Sequence, residues 1–347
     1  MRKLLFCSFL TFLFTNTFAQ PYGNEWIKSD QKYFKIKIGR TGIYRIDYPF
    51  LVTAAQMMQV DLTTVNPKKW QMFHKGVEIP IYVAGENDNV FNSNDFIEFF
   101  ARTNDGELDK DLYRDPRHLA NSITSMITDT SCYYLTFIPT GSSQTAKHMT
   151  NYVNKNFGSI SPESYFQHQS IATYTSNYVY GEGFDLSGSE ASDPLYKEAE
   201  GFSGTLFGSG TSYSSFLSTI ETRFLNSTGP SPTLDFVTVG ANNNFKVLFN
   251  DHRMKVYVSQ DNFGFTEIHD TTFDGFRVIR KSLKLGASQL GSNNTYLKFE
   301  GQFISGVAYQ AHAVNTVSIT YSRNFDLDGN SSFLFRIKGN SSPKHIH

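Results

Sequence analysis

Cysteine is scarce in this sequence of 347 residues, which has only Cys7 and Cys132. Cys7 lies in an N-terminal run that we expect to be removed, so Cys132 would be the lone thiol of the mature chain. A lone cysteine excludes a fold that is held together by disulfides, as many small secreted domains are. Hydrophobic cores must therefore stabilise the chain, and its length predicts about two domains.

Long apolar runs are equally scarce. Two basic residues precede the one run of note, residues 4–14, and a Thr-Phe-Ala sequence ends at residue 19. This order is typical of a secretory signal peptide over residues 1–19, with the mature chain starting near Gln20. No later stretch approaches the roughly 20 apolar residues that a membrane-spanning helix needs. The sequence therefore predicts an exported, soluble chain without a transmembrane segment.

Charge is sparse as well. Charged residues make up 18% of the chain, and the formal net charge is −1, with no long run of either sign. Nucleic-acid binding leaves a basic patch or stripe, which is missing here, so a nucleic-acid partner is not predicted. Aromatic residues make up 15%, and this composition favours strands and polar turns.

Standard catalytic signatures are also missing. The sequence has no G-x-S-x-G, P-loop, H-E-x-x-H or C-x-x-C motif. Cys132 lies in the apolar run SCYYLTF, which predicts a small buried residue rather than a nucleophile. His345 and His347 could share a strand face as a metal pair, but their place at the end of the chain indicates an incidental pair. We therefore predict no catalytic residue, no cofactor-binding residue, no metal ligand and no cofactor.

The acidic stretch RTNDGELDKDLYRD, residues 102–115, is the most conspicuous candidate for a site. In a calcium loop with Gly106 at the sharp turn, Ala101 and Leu112 would stand where the ion needs oxygen ligands, so that interpretation fails at both ends. In an extended chain Glu107, Asp109 and Asp111 would share one face and be solvated.

A polar turn at residues 104–106 is the simpler interpretation of the acidic stretch. A second loop places Asn324, Asp326 and Asp328 at calcium-loop spacing. Phe335 occupies the position of its closing ligand, so an ordinary turn is predicted there too.

Alternating polarity organises the rest of the chain. Residues 32–45 alternate around a Gly-Arg-Thr-Gly turn and predict a β-hairpin, and residues 48–59 predict a short helix. A second hairpin is predicted to turn at Lys75-Gly76, and DFIEFFA and CYYLTFI predict two further strands. These elements predict a small α+β domain over residues 20–150.

The second half predicts a different organisation. Residues 151–200 mix aromatic and small polar residues without a period and predict a connector. Residues 201–325 contain short alternating segments between Gly, Asn and Asp turns, FKVLFNDHRMKV among them, and predict a jelly-roll-like β-sandwich. Residues 326–347 predict the start of a further strand region, which we expect to be truncated. The predicted fold class is mainly β, with an α+β domain followed by a sandwich.

A series of segments resembles a known family. The series comprises GNEWI at 23–27, YFKIKIGRTGIYRIDY at 33–48, FHKGVEIPIYV at 73–83, DFIEFFARTNDGELDKDLYRD at 95–115 and DTSCYYLTF at 129–137. It resembles the region upstream of the peptidase domain in PorU-type sortases of the type IX secretion system, which are relatives of the gingipain cysteine peptidases. In that family the acidic stretch resembles a connector between two strands, which implies a scaffold turn.

The resemblance implies a role as well as a fold. Family members with a peptidase domain release C-terminal sorting domains from secreted cargo by means of a Cys/His pair that lies downstream of the matched region. No residue here corresponds to that pair, so no activity is expected of this chain alone. The resemblance implies a non-catalytic scaffold or interaction region in the periplasm or at the outer membrane and cell surface. Its implied partners are a downstream peptidase domain, an outer-membrane translocon protein and secreted cargo.

A second function class fits the same sequence. A free-standing secreted surface module that binds glycans or acts as an adhesin could use exposed aromatic rings as a stacking platform. Tyr174, Tyr178, Tyr180 and Phe184 are the candidate residues for that platform. Burial in a core is the commoner fate of such residues, so this hypothesis is kept as the alternative.

Overall fold

The computed structural model describes residues 23–150, 160–181, 194–330, 333–337 and 345. The chain forms two compact units. Unit 1 comprises Met1–Arg102 and Thr130–Asn151, and unit 2 comprises Thr103–Asp129 and Tyr152–His347.

Unit 1 has two antiparallel sheets and one helix. Its elements are β1 (Phe34–Ile38), β2 (Gly42–Asp47), α1 (Tyr48–Met57), β3 (Trp70–His74), β4 (Val77–Ile79), β5 (Tyr82–Val83), β6 (Phe96–Ala101) and β7 (Ser131–Phe137), with short 3-10 helices at Leu62–Thr64, Pro67–Lys69 and Glu86–Asp88. One sheet has the strand order β1-β7-β3-β4, and the other has the order β2-β6-β5. The predicted helix and strands are confirmed.

One of the two predicted hairpins is confirmed. Strands β3 and β4 pair directly, with His74 opposite Val77. Their turn is made by Lys75 at φ 48° and Gly76 at φ 78°, the left-handed pair that a tight hairpin turn requires. The other hairpin is wrong, because β1 pairs with β7 while β2 pairs with β6. Alternation had identified both strands, but it carries no information about which strand lies beside them.

The core of unit 1 follows from these alternations. In β6, Ile97, Phe99 and Ala101 are buried while the residues between them are half-buried. Helix α1 buries Leu51 and Ala55 in the same cluster, and Trp70 of β3 is fully buried there. Burial of side chains of this size stabilises a fold by about 2 kcal/mol each, so this cluster is the main source of stability for unit 1.

Unit 2 is a β-sandwich. Its strands are β8 (Phe166–Thr173), β9 (Asn177–Val179), β10 (Gly201–Ser203), β11 (Ser215–Glu221), β12 (Thr233–Gly240), β13 (His252–Ser259), β14 (Thr266–Phe273), β15 (Val278–Lys284), β16 (Asn294–Gly301) and β17 (His312–Arg323), with 3-10 helices at Glu107–Leu112, Pro116–His118 and Ala287–Gln289. The two larger sheets have the orders β11-β16-β13-β14 and β15-β12-β17-β8, and β10 pairs with β9.

The two larger sheets share one hydrophobic core. Phe236 of β12, Phe299 of β16 and Ile319 of β17 lie in the same buried cluster, and burial alternates along β12 and β16. The predicted fold class, mainly β with a sandwich, is confirmed.

The unit boundary differs from the predicted break near residue 150, because Thr103–Asp129 belongs to unit 2. Ala120 shares a small core cluster with Val239 of β12 and Ala313 of β17. The Asn121 amide donates to the hydroxyl of Thr173 at 2.9 Å. These contacts cover the outer side of the β15-β12-β17-β8 sheet, which explains why β17 is buried on both faces.

The predicted connector differs from the structure, because it contains a strand. Strand β8 lies within residues 151–200 and pairs along its whole length with β17. It is an edge strand in which polar residues lie on both faces, so its hydrophobic signal is weak. Of the last residues, Arg336 forms an isolated antiparallel bridge with Gln167. Parts of that segment lie outside the described residues.

Candidate functional site

The acidic stretch folds into the 3-10 helix Glu107–Leu112. Asp109 is buried, and its carboxylate accepts hydrogen bonds from the Ser125 hydroxyl at 3.0 Å and the Met126 amide at 2.7 Å. Glu107 and Asp111 are exposed. The three carboxylates therefore do not share one face, and the buried one fixes a neighbouring segment.

Gly106 shows the same structural role. Its amide donates to the carbonyl of Ser122 at 3.0 Å. A Cβ atom at this position would lie 2.6 Å from the carbonyl oxygen of Asn121, so only glycine allows this approach. The predicted turn at residues 104–106 thus packs against residues 121–126.

Cys132 is half-buried, which corrects the prediction of a buried core thiol. It lies on β7, where Ser131, Tyr133 and Leu135 are buried. Cys132 and Tyr134 face the other way and are partly exposed. The apolar run had suggested a buried thiol, whereas the face that carries Cys132 becomes fully buried only farther along the strand, at Thr136.

We expect Cys132 to react stoichiometrically with Ellman's reagent in the native protein, because its side chain is partly accessible to solvent. In protein of residues 20–347, absorbance at the product wavelength should reach one thiol per chain before any unfolding is detected by circular dichroism. A thiol that appears only in denaturant would contradict this expectation.

The second calcium-like loop uses its oxygens within the fold. Asp328 pairs with Arg223 at 2.7 Å, and Asp326 accepts from the amide of Asp328 at 2.8 Å. The Asn324 side chain accepts from Asn226 at 2.8 Å. Among the described residues no group of three His, Cys, Asp or Glu side chains could hold a metal ion.

The histidine pair at the C-terminal end lies partly outside the described residues. His345 contacts the carbonyl oxygen of Ile160 at 3.0 Å through Nδ1. His347 lies outside the described residues.

Two residues of the predicted aromatic platform, Tyr174 and Tyr178, make packing and hydrogen-bond contacts within unit 2. Tyr174 packs edge-on against Phe216 with ring centroids 4.8 Å apart, and its hydroxyl bonds to Ser218. Tyr178 donates to Glu200 at 3.1 Å, and burial raises the pKa of its hydroxyl. Tyr180 is half-exposed, and Phe184 lies outside the described residues.

A different cluster of exposed apolar side chains lies on two loops of unit 2, residues 241–251 and 302–311. Phe245 is 80% exposed, Leu248 102%, Phe249 52% and Phe303 77%. We call these four residues the apolar loop cluster. The sequence had predicted a strand through residues 245–249, but β13 begins only at His252. The segment is as apolar as a strand, yet Phe245, Leu248 and Phe249 are exposed to solvent.

Hydrogen bonds join the two loops. The Asn242 side chain accepts from the amide of Ala311 at 2.6 Å and donates to the carbonyl of Tyr309 at 3.4 Å. The amide of Ala241 donates to the carbonyl of Ala311 at 2.7 Å. Side-chain and backbone bonds of this kind hold the bases of both loops in one arrangement.

A buried polar group lies at the base of these loops. Asp251, His252, Gln310 and His312 have no exposed surface. The Asp251 carboxylate accepts from the amides of Asn244 at 2.6 Å and Gly275 at 2.8 Å. His252 donates through Nε2 to the carbonyl of Asn242 at 2.9 Å. The apolar loop cluster therefore lies above a firmly bonded base.

The two histidines of this base are neutral. Their rings meet edge to face at 4.9 Å, and His312 donates through Nε2 to the Gln310 side chain at 3.1 Å. Burial, followed by the neighbouring His252, lowers the pKa of His312 to about 3, and burial lowers the pKa of His252. Neither Nδ1 atom has a hydrogen-bond partner in the described part of the chain. The scattered histidines gave no signal for this pair, since each is an isolated residue at the start of a strand.

Comparisons with known proteins show likeness of fold at low identity. No family model matches the chain, and no curated protein matches it. The crystal structure of dimeric latent PorU from Porphyromonas gingivalis is 12% identical with a TM-score of 0.48, and the match covers 89% of this chain and 26% of that one. This chain thus spans about a quarter of the length of that PorU structure, and the similarity is a remote one of fold.

Carbohydrate-binding modules are also similar to part of the chain. A CBM36 module in complex with calcium and xylotriose is 11% identical, with a TM-score of 0.22, over 41% of this chain and 98% of that one. The TmCBM61 module in complex with β-1,4-galactotriose is 12% identical, with a TM-score of 0.23, over 46% and 91% of the two chains.

In the described part of this chain, no helix is long and apolar enough to cross a membrane.

Proposed function

We propose that this chain is the non-catalytic N-terminal scaffold and interaction region of a PorU-like sortase of the type IX secretion system. In this role it supports a cysteine peptidase domain that processes the sorting domains of secreted proteins in the periplasm or at the cell surface. The series of segments from GNEWI to DTSCYYLTF supports this setting. The structural role of Asp109 and Gly106 supports the view that the acidic stretch is scaffold.

The observation that carries an interaction role is the apolar loop cluster. Phe245, Leu248 and Phe303 are each at least three-quarters exposed on loops whose bases are bonded together. Soluble proteins seldom leave large apolar side chains grouped in water, and such groups usually mark protein contacts. Aromatic side chains are also enriched among the residues that dominate protein interfaces. The proposed occupant of this surface is the peptidase domain of the same secretion apparatus.

The test is the processing of cargo in the bacterium that makes this protein. We expect deletion of the gene, and equally the double change Phe245→Ser and Leu248→Ser, to cause cargo with an uncleaved sorting domain to accumulate. Immunoblots of periplasmic and surface fractions measure the ratio of uncleaved to mature cargo. The control is Phe263→Ser, because Phe263 is 88% exposed in the turn that follows the other end of β13.

Two results would contradict the proposal. Normal cargo processing in the deletion strain would contradict the sortase setting. Defective processing in the deletion strain together with normal processing in the loop variant would contradict the role of the apolar loop cluster. Circular dichroism of the purified variants separates loss of contact from loss of fold.

A further inference from the structure

A groove of about 460 Å³ lies on unit 2. It is formed by the start of β9, the segment between β10 and β11, and the loop before β17. Its lining residues are Ser176, Asn177, Thr205, Leu206, Gly210, Thr211, Ser212, Tyr213 and Tyr309. Tyr213 is 59% exposed and Tyr309 is 44% exposed, so both rings present surface to solvent.

The turn that carries one side of the groove is fixed by its backbone. Gly208 and Gly210 have φ values of 131° and 78°, which favour glycine. The amide of Gly208 donates to the carbonyl of Tyr213 at 2.8 Å, and the Thr211 hydroxyl donates to the same carbonyl at 2.7 Å. Tyr213 is therefore held by a closed turn rather than by a free loop.

Tyr309 is held on the other side of the groove. A Cβ atom on Gly210 would lie 2.9 Å from Cδ2 of Tyr309, so the ring rests against bare backbone. The Tyr309 carbonyl also accepts from Asn242 at 3.4 Å. The Tyr309 ring and the backbone of Tyr213 are thus held before any ligand binds, which lowers the entropic cost of binding.

The chemistry of the lining identifies the ligand class. None of the lining residues carries a charge, which disfavours ionic ligands because nothing would compensate for their desolvation. Hydroxyl and amide groups offer hydrogen-bond donors and acceptors, while the two tyrosine rings offer flat apolar faces. Neutral sugars combine apolar C–H faces with many hydroxyls and so match both features. We propose that this groove binds a neutral glycan chain, independently of the sortase setting.

Native affinity electrophoresis of the mature chain tests this proposal. The probes are three neutral polysaccharides, xyloglucan, galactomannan and dextran, each cast into the gel, with polygalacturonate as an acidic probe. We expect at least one neutral probe to retard the protein. Tyr213→Ala and Tyr309→Ala should each weaken that retardation by about tenfold, since each removes a stacking face.

Controls separate stacking from folding. Phe263→Ala removes an exposed aromatic ring outside the groove and should leave retardation unchanged. Tyr309→Phe keeps the ring and should retain most of the binding. The proposal is overturned if no neutral probe retards the protein, if polygalacturonate binds as well as the neutral probes, or if the Tyr213 and Tyr309 alanine variants still bind normally. Cargo processing in the cell plays no part in this readout.

Discussion

Lowering the pH from 7.0 to 4.5 should cost unit 2 about 3 kcal/mol of unfolding free energy through His312 alone, and His312→Gln should remove this loss. In the unfolded chain this histidine binds a proton near pH 6.5, whereas burial keeps the folded pKa at about 3. Between those pH values the unfolded state therefore carries an extra proton. Acid then favours unfolding by about 1.4 kcal/mol for each pH unit below 6.5.

The choice of glutamine preserves the bond that His312 makes. Its side-chain amide can donate to Gln310 in place of the imidazole Nε2. The substitution costs some packing at every pH, since His312 stacks on Phe207 with ring centroids 5.4 Å apart. The diagnostic quantity is the difference between the pH dependences of the wild type and the variant, in which the loss of packing cancels. His252→Gln should reduce the pH dependence in the same direction, because burial also lowers the pKa of His252.

The measurement has to report on unit 2. Both tryptophans, Trp26 and Trp70, lie in unit 1, so their fluorescence follows that unit. Hydrogen exchange of peptides covering β13 and β17, followed at pH 7.0 and 4.5 with correction for intrinsic rates, reports the opening free energy of the sandwich itself. Equal pH dependence in the wild type and His312→Gln would mean that His312 is protonated in the folded state.

Changing Asp109 to Asn should destabilise unit 2 by about 2 kcal/mol. The carboxylate accepts from both Ser125 and the Met126 amide, and an asparagine of the same shape has only one acceptor oxygen. One buried donor is then left opposite an NH₂ group. These bonds fix the segment that follows Asn121, whose side chain bonds to Thr173 of β8. Losing one of them should therefore also weaken the packing of this segment on the β15-β12-β17-β8 sheet.

Asp111→Asn is the matched control for this prediction. Asp111 is exposed in the same 3-10 helix, and its change should alter stability by less than about 0.5 kcal/mol. Urea unfolding at pH 7, followed by far-ultraviolet circular dichroism, gives both differences. Equal stabilities of the two variants would show that the buried carboxylate bonds do not support the fold.

Features set by a few neighbouring residues were predicted correctly, whereas pairings between distant strands were not. The β3–β4 hairpin was predicted because Lys75 and Gly76 suit a tight turn in any context. The pairing of β1 with β7 was not predicted, because any alternating strand offers the same backbone donors and acceptors. Residues 245–249 are as apolar as many strands, but they form a loop, and β13 begins only at His252.

The candidate sites were less predictable than the fold. The sequence offered residues 102–115 and Tyr174 as candidates for a site. In the structure, Asp109 and Tyr174 form hydrogen bonds within unit 2. His252 and His312 lie far apart in the chain, as do Tyr213 and Tyr309. Neither pair has a local pattern, so no reading of neighbouring residues could have found them.

The sequence alone determined that the chain is mainly β, which faces of most strands are buried and that no disulfide framework holds it. These properties follow from alternation and composition, which act within a few residues. Tertiary structure alone decided that Thr103–Asp129 joins the sandwich, that the loops at 241–251 and 302–311 meet, and that two histidines are buried beneath them. Such contacts arise from strand pairing between distant segments. The backbone donors and acceptors that pair strands are the same whatever the side chains, so the local sequence does not specify which segments pair.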